Sequence, residues 1–116
     1  MATEVQREVL DEDPVLRNIV ERLVWAYDPE LVYLFGSKAR GDYGPDSDYD
    51  LLLVVRDNAP PERRRSRLAY ETLWAARARG AVDVLVCTRS YFEARRHLTA
   101  SLPGTVLREG KVLYAV

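Results

Sequence analysis

An α/β domain is the fold class this sequence predicts, and three observations carry the prediction. Segments of helical and of strand character alternate along the chain, the order from which a sheet flanked by helices is built. Two strand-like runs, "DYDLLLVVR" and "VDVLVCT", are apolar on both faces, so both of their faces should be at least partly covered. The length of 116 residues, with 47% hydrophobic and 30% charged side chains, suits one domain over 1–116 with one modest core.

The first element is a helix in "DPVLRNIVERLVWAYDPE". Asp13 can cap it, Pro14 fits its first turn, and Leu16, Ile19, Val20, Leu23 and Val24 form one apolar stripe at helical spacing. Asp28-Pro29 ends it. "LVYLF" (31–35) follows as a strand, and Gly36-Ser37 opens a tight turn with a short helix through Arg40. Gly41 and Gly44-Pro45 break that helix before the second strand, "DYDLLLVVR". After a proline loop, a helix is expected over 62–79, with Leu68, Trp74, Ala75 and Ala78 as inward candidates and Gly80 as its stop. "VDVLVCT" is the third strand, "SYFEARRHL" a short helix, "PGTVLREG" another, and "KVLYA" a closing edge strand.

Composition excludes several functions. No apolar run approaches the ~20 residues of a transmembrane helix. The acidic, polar start "MATEVQREVLDED" lacks the regions of a signal peptide. A single cysteine, Cys87, rules out an internal disulfide and a cysteine zinc site, and reads as a small buried apolar residue. A cytoplasmic protein is the simplest reading. The net charge of −1 argues against direct nucleic-acid binding. Of the 17 basic residues only Lys38 and Lys111 are lysines; arginine suits phosphate forks and interface pairs, and its abundance can equally reflect genome composition.

The chemistry concentrates in "GSKARGDYGPDSDYD" (36–50). Strand side chains alternate, so Asp48 and Asp50 point to one face and Tyr49 to the other. If strands two and three are neighbours, Asp83 joins the pair, and three carboxylates converge at one end of the sheet. Like charges in one place raise each other's pKa; a divalent cation removes the conflict, and all-oxygen ligands suit Mg²⁺ or Mn²⁺. Three carboxylates could hold two ions ~4 Å apart, the spacing of two-metal phosphoryl transfer. Upstream, Gly36 allows close backbone approach, Ser37 starts a helical turn whose free N–H groups favour anions, and Lys38 and Arg40 offer positive charge. The segment thus contains a phosphate clamp and a metal site in sequence.

Gly36-Ser37, ten residues, then Asp48-Tyr49-Asp50 resembles the signature of the DNA polymerase β-like nucleotidyltransferase superfamily. "LFGSKARG", "SDYDLLLVV" and the tail "PGTVLREGKVLYA" are similar to the minimal nucleotidyltransferases, the antitoxin partners of HEPN-domain toxins, and the resemblance covers nearly the whole chain. It implies a mixed β-sheet flanked by helices. It also implies that Gly36 and Ser37 hold the β- and γ-phosphates of a nucleoside triphosphate, and that Asp48 and Asp50 bind both metal ions. Asp83, in "VDVLV", would complete the catalytic metal and help deprotonate the acceptor hydroxyl. That oxygen attacks the α-phosphorus and pyrophosphate leaves.

Plainer roles stand beside these. Lys38 and Arg40 are equally readable as surface charges, Tyr43 and Asp46 as loop residues, and "ERRRSR" as a solvated helix face rather than an RNA patch. His97 reads as surface or capping, and Trp25 and Trp74 as core or interface residues. Related transferases hold their acceptor with extra domains, for which this chain is too short. The leading expectation is therefore a Mg²⁺-dependent antitoxin that transfers AMP from ATP to a tyrosine of a HEPN toxin. The rivals are an antitoxin that masks its toxin by binding alone, and a transferase acting on a small molecule or an RNA end. Nothing in the chain reads as an adenine selector.

Overall fold

The computed structural model describes residues 4–45 and 47–116; Asp46, one of the two residues read as loop, lies outside them. Helix α1 (Arg7–Asp11) leads into α2 (Pro14–Tyr27), strand β1 (Leu31–Phe35) and helix α3 (Gly36–Arg40). Then come β2 (Tyr49–Val55), a 3-10 turn (Pro61–Arg64), α4 (Arg67–Ala75) and β3 (Val82–Thr88). Helices α5 (Arg89–Arg95) and α6 (Leu102–Glu109) and strand β4 (Lys111–Ala115) complete the order. The four strands form one mixed sheet, β3-β2-β1-β4. β1 pairs antiparallel with both β2 and β4, whereas β2 and β3 run parallel. A parallel pair needs a crossover, which the 3-10 turn and α4 supply.

Alternation along the strands divides the core in two. One face of the sheet packs Val32, Leu34, Leu51 and Leu53 against Leu16, Ile19, Val20 and Leu23 of α2 and Ala69 and Leu73 of α4. The other packs Tyr33, Leu52 and Val54 against Phe92 of α5 and Val106 of α6. Residues Leu51 to Val55 of β2, one of the two inner strands, are all fully buried. Asp13 caps α2 as predicted, accepting the Leu16 N–H at 3.0 Å, and its second oxygen accepts the Tyr49 hydroxyl at 2.8 Å. One carboxylate thus fixes the start of α2 to the start of β2.

Three expectations are corrected. The helix expected over 62–79 is interrupted: a 3-10 turn ends at Arg64, and α4 runs only from Arg67 to Ala75. Its end is a Schellman closure in which Arg77 adopts φ 52°, the Ala78 N–H reaches the Leu73 carbonyl and the Arg77 N–H reaches that of Trp74. Gly80 lies beyond this closure and serves the turn into β3. The phase of α4 differs accordingly: Ala69 and Leu73 are its buried residues, Leu68 and Ala78 are half-buried, and Trp74 and Ala75 face out. Trp25 and Trp74 are 82% and 86% exposed, which removes the core alternative for both and the inward placement of Trp74, and leaves the interface alternative. Finally, β3 is an edge strand in which only Val84 is fully buried and Leu85 is 37% exposed; Cys87 is likewise half-buried. Helix α1 was not foreseen.

Candidate functional site

Parallel pairing of β2 with β3 sets Asp50 directly beside Asp83. Asp48 precedes β2 by one residue and is exposed, while Tyr49 turns inward and is buried. Asp83 and Asp48 both act on Asp50. Burial pushes the Asp50 carboxyl above its ordinary value, the negative charges of Asp83 and then Asp48 push it further, and Arg40 opposes them. Arg40 itself is held at the exposed rim by Asp42 at 3.1 Å and by Glu109 of α6 at 3.0 Å.

Gly36 explains how Asp50 fits. Its φ of +72° is a left-handed conformation that favours glycine, and a Cβ there would stand 2.2 Å from Asp50 Oδ2. The first residue of the motif therefore makes room for its last carboxylate, a role beyond the ligand approach read from the sequence. Ser37 follows, half-buried at the start of α3, with its carbonyl accepting the Gly41 N–H at 2.9 Å. Lys38 is directed elsewhere: its ammonium lies 4.5 Å from the centre of the Tyr43 ring and 4.6 Å from that of Tyr49, so it faces the side to which Tyr49 turns. The fold thus sets Gly36 and Asp83 beside Asp50, keeps Asp48 and Arg40 within range of its charge, and directs Lys38 elsewhere.

The donor set fits a hard divalent cation. It is all oxygen, it is negatively charged, and Asp50 shows the electrostatic conflict that a cation would relieve. Among the described residues no three His, Cys, Asp or Glu side chains are already gathered into a metal-holding group. Mg²⁺ does not need one, since it takes one or two protein carboxylates and fills the remaining positions with water and substrate phosphate.

One residue at the site was missed from the sequence. Tyr70 of α4 donates its hydroxyl to Asp83 Oδ1 at 3.2 Å and accepts the Val84 N–H at 3.0 Å. It sits in "RLAYETL" with no motif around it. Only the packing of α4 beside the free edge of β3 brings it to Asp83. Tyr70 also borders an open cleft of about 660 Å³ whose lining includes Trp74, Arg77 and Val82.

Comparison with known proteins agrees with this geometry. The family model of the nucleotidyltransferase domain matches residues 16–112, and the chain belongs to that family. No curated protein sequence matches. Among solved structures, a toxin–antitoxin with AMP-PNP has a chain that is 26% identical, with a TM-score of 0.55 over 85% of this chain and 73% of that one. A nucleotidyltransferase from Sulfolobus solfataricus, itself assigned as such only provisionally, is 30% identical, with a TM-score of 0.52 over 70% of each chain. A chain from the complex of the tri-AMPylated Shewanella oneidensis HEPN toxin with its MNT antitoxin has a TM-score of 0.52 at 21% identity, covering 89% of this chain and 71% of that one. That last likeness is one of fold. The mixed sheet flanked by helices that the resemblance implied is the architecture observed, and the polymerase β-like assignment stands.

Proposed function

We propose that the chain is a divalent-metal-dependent protein adenylyltransferase of the antitoxin type, which transfers AMP from ATP to a tyrosine hydroxyl of a HEPN toxin and so neutralises it. The observation that carries this reading is the in-register pairing of Asp50 with Asp83 beside Gly36. Family membership supports nucleotidyl transfer, and the similar toxin–antitoxin structure with AMP-PNP supports both the nucleotide and the kind of partner.

In this reading Gly36 and Ser37 seat the β- and γ-phosphates, and Arg40 offers a guanidinium at the rim. Lys38 would contribute to phosphate binding only by leaving the rings of Tyr43 and Tyr49. Asp48 and Asp50 would hold the cations, and Asp83 would serve the cation nearest the acceptor and receive the acceptor's proton. When bound, the cations neutralise the carboxylates and stabilise charge on the phosphates. The protein's own contribution is positioning, because β2 and β3 fix the carboxylates and the Gly36 turn fixes the distance from them to the phosphates.

We expect the toxin to be a HEPN protein encoded next to this chain, and the test is incubation of the two with labelled ATP and Mg²⁺. Label should appear on the toxin, and its RNase activity should fall. Neutralisation without label would instead support masking by binding, a reading favoured by the exposed Trp25 and Trp74. The Asp48→Asn, Asp50→Asn double variant separates the two, since a purely masking antitoxin retains its protection.

A further inference from the structure

Tyr70 presents a hydroxyl to the carboxylate that, in the reading above, receives the acceptor's proton. The Val84 N–H lies on the open edge of β3, where no further strand pairs, and the Tyr70 oxygen satisfies it at 3.0 Å. That bond uses one of the oxygen's two lone pairs and leaves the other for attack, while the proton is donated to Asp83 Oδ1 at 3.2 Å. Tyr70 as a residue is 42% exposed and borders the open cleft that Trp74 and Arg77 line, so its side chain is reachable from solvent. Other tyrosines differ. Tyr27 and Tyr33 are buried, the Tyr49 hydroxyl is committed to Asp13, Tyr43 stacks on Lys38, Tyr91 is exposed on α5 with Arg95 over its ring, and Tyr114 lies in β4 at the opposite edge of the sheet.

We infer that Tyr70 is a self-modification site, at which the chain transfers a nucleotidyl group from a nucleoside triphosphate to its own tyrosine hydroxyl. The inference rests on the nucleotidyltransferase reading of the three carboxylates. The Tyr70 oxygen forms a bond to the α-phosphorus. The bond from that phosphorus to the oxygen bridging to the β-phosphate breaks, and pyrophosphate leaves with the electron pair. The hydroxyl proton passes to Asp83 along the existing hydrogen bond. The product is a phosphodiester between tyrosine and nucleoside, with nothing oxidised or reduced. It removes the proton that Tyr70 donates to Asp83 and sets a nucleotide beside that carboxylate, so the modified chain is closed to an outside acceptor. Because Tyr70 and Asp83 belong to one chain, the reaction is first order in protein.

The full chain incubated with ATP and Mg²⁺, without partner, should gain the mass of one nucleoside monophosphate. Peptide mapping of the wild-type chain should place it on Tyr70, at a fractional rate unchanged by tenfold dilution. Tyr70→Phe should lose the adduct at least tenfold, and the mapping remains decisive should that variant fold poorly. A second readout needs no cation: in a chain carrying ¹³C-tyrosine, the Tyr70 ring signal should shift on titration with a nonhydrolysable triphosphate analogue. An adduct on another residue overturns the inference. So does the absence of an adduct in a chain that labels an outside acceptor, and both of these results leave the nucleotidyltransferase reading intact. A chain with neither adduct nor any response to nucleotide overturns both.

Discussion

Asp50 is the residue on which the electrostatic conflict of the site falls. Its carboxyl sits above the ordinary 3.8 because it is partly desolvated and because Asp83 and Asp48 repel its charge. The folded chain therefore holds this proton at a pH where the unfolded chain has lost it. Stability must fall as pH rises from the ordinary value through the raised one, and it stays reduced above that window. Asp50→Asn removes the effect. In metal-free buffer the variant should melt above the wild type at about pH 7, and the difference should shrink as pH falls toward about 3, where both side chains are neutral. Thermal unfolding at several pH values checks this; a gap that widens on acidification would contradict the assignment. Gly36 gives a second residue-scale prediction. An alanine there combines a left-handed backbone, which costs roughly 1–2 kcal/mol, with a methyl group 2.2 Å from Asp50 Oδ2. Gly36→Ala should lose at least about 2 kcal/mol in denaturant unfolding, and Gly36→Ala with Asp50→Ala should recover the steric part.

At the scale of elements, the structure shows which sequence signals were sufficient. Helix α2 was legible because its stripe, its Asp13 cap and its Pro14 all agree, and β1 and β2 because short apolar runs are bounded by Gly, Pro and Asp. Helix α4 was not, because its end depends on Arg77 adopting a positive φ, a conformation that an arginine does not advertise, while Gly80 advertised one too late. The sequence also could not reveal that Tyr27 holds α4 in place. Its hydroxyl donates to the Arg65 carbonyl and accepts the buried Ala69 N–H at 2.8 Å, joining the end of α2 to the start of α4. Tyr27→Phe removes this bond, leaves the Ala69 N–H with the Ser66 carbonyl at 3.0 Å as its remaining acceptor, and should cost about 0.5–1.5 kcal/mol. Because α4 carries Tyr70, the loss should also loosen the site: the Val84 amide should exchange faster than those of β1, a comparison that hydrogen exchange can make.

At the scale of the whole molecule, Asp83 was legible as a partner of Asp48 and Asp50 on the condition that strands two and three are neighbours, and the strand order meets that condition. Asp48 and Asp50 announce themselves by spacing, but Asp83 lies 33 residues past Asp50 and joins it solely because β3 lies parallel beside β2 in the register Asp50↔Asp83. Two separate parts of the chain thus present negative charge to each other, and folding bears that repulsion. A ligand that binds only the assembled cluster must stabilise the fold by mass action. At a concentration about ten times its dissociation constant, a divalent cation adds about 1.4 kcal/mol, which for a domain of this size is about 4–8 °C in melting temperature. Mg²⁺ or Mn²⁺ should produce this shift at neutral pH, and the shift should fade in acid as Asp50 takes up its proton. Asp83→Asn and Asp50→Asn should each reduce it, although the two residues are distant in sequence, because each removes one half of the same cluster. Chloride salts of Na⁺ at matched ionic strength separate specific binding from screening. Equal shifts with Na⁺ and Mg²⁺, or an Asp83→Asn variant that responds like wild type, would dissolve the three-carboxylate site and with it the proposed chemistry.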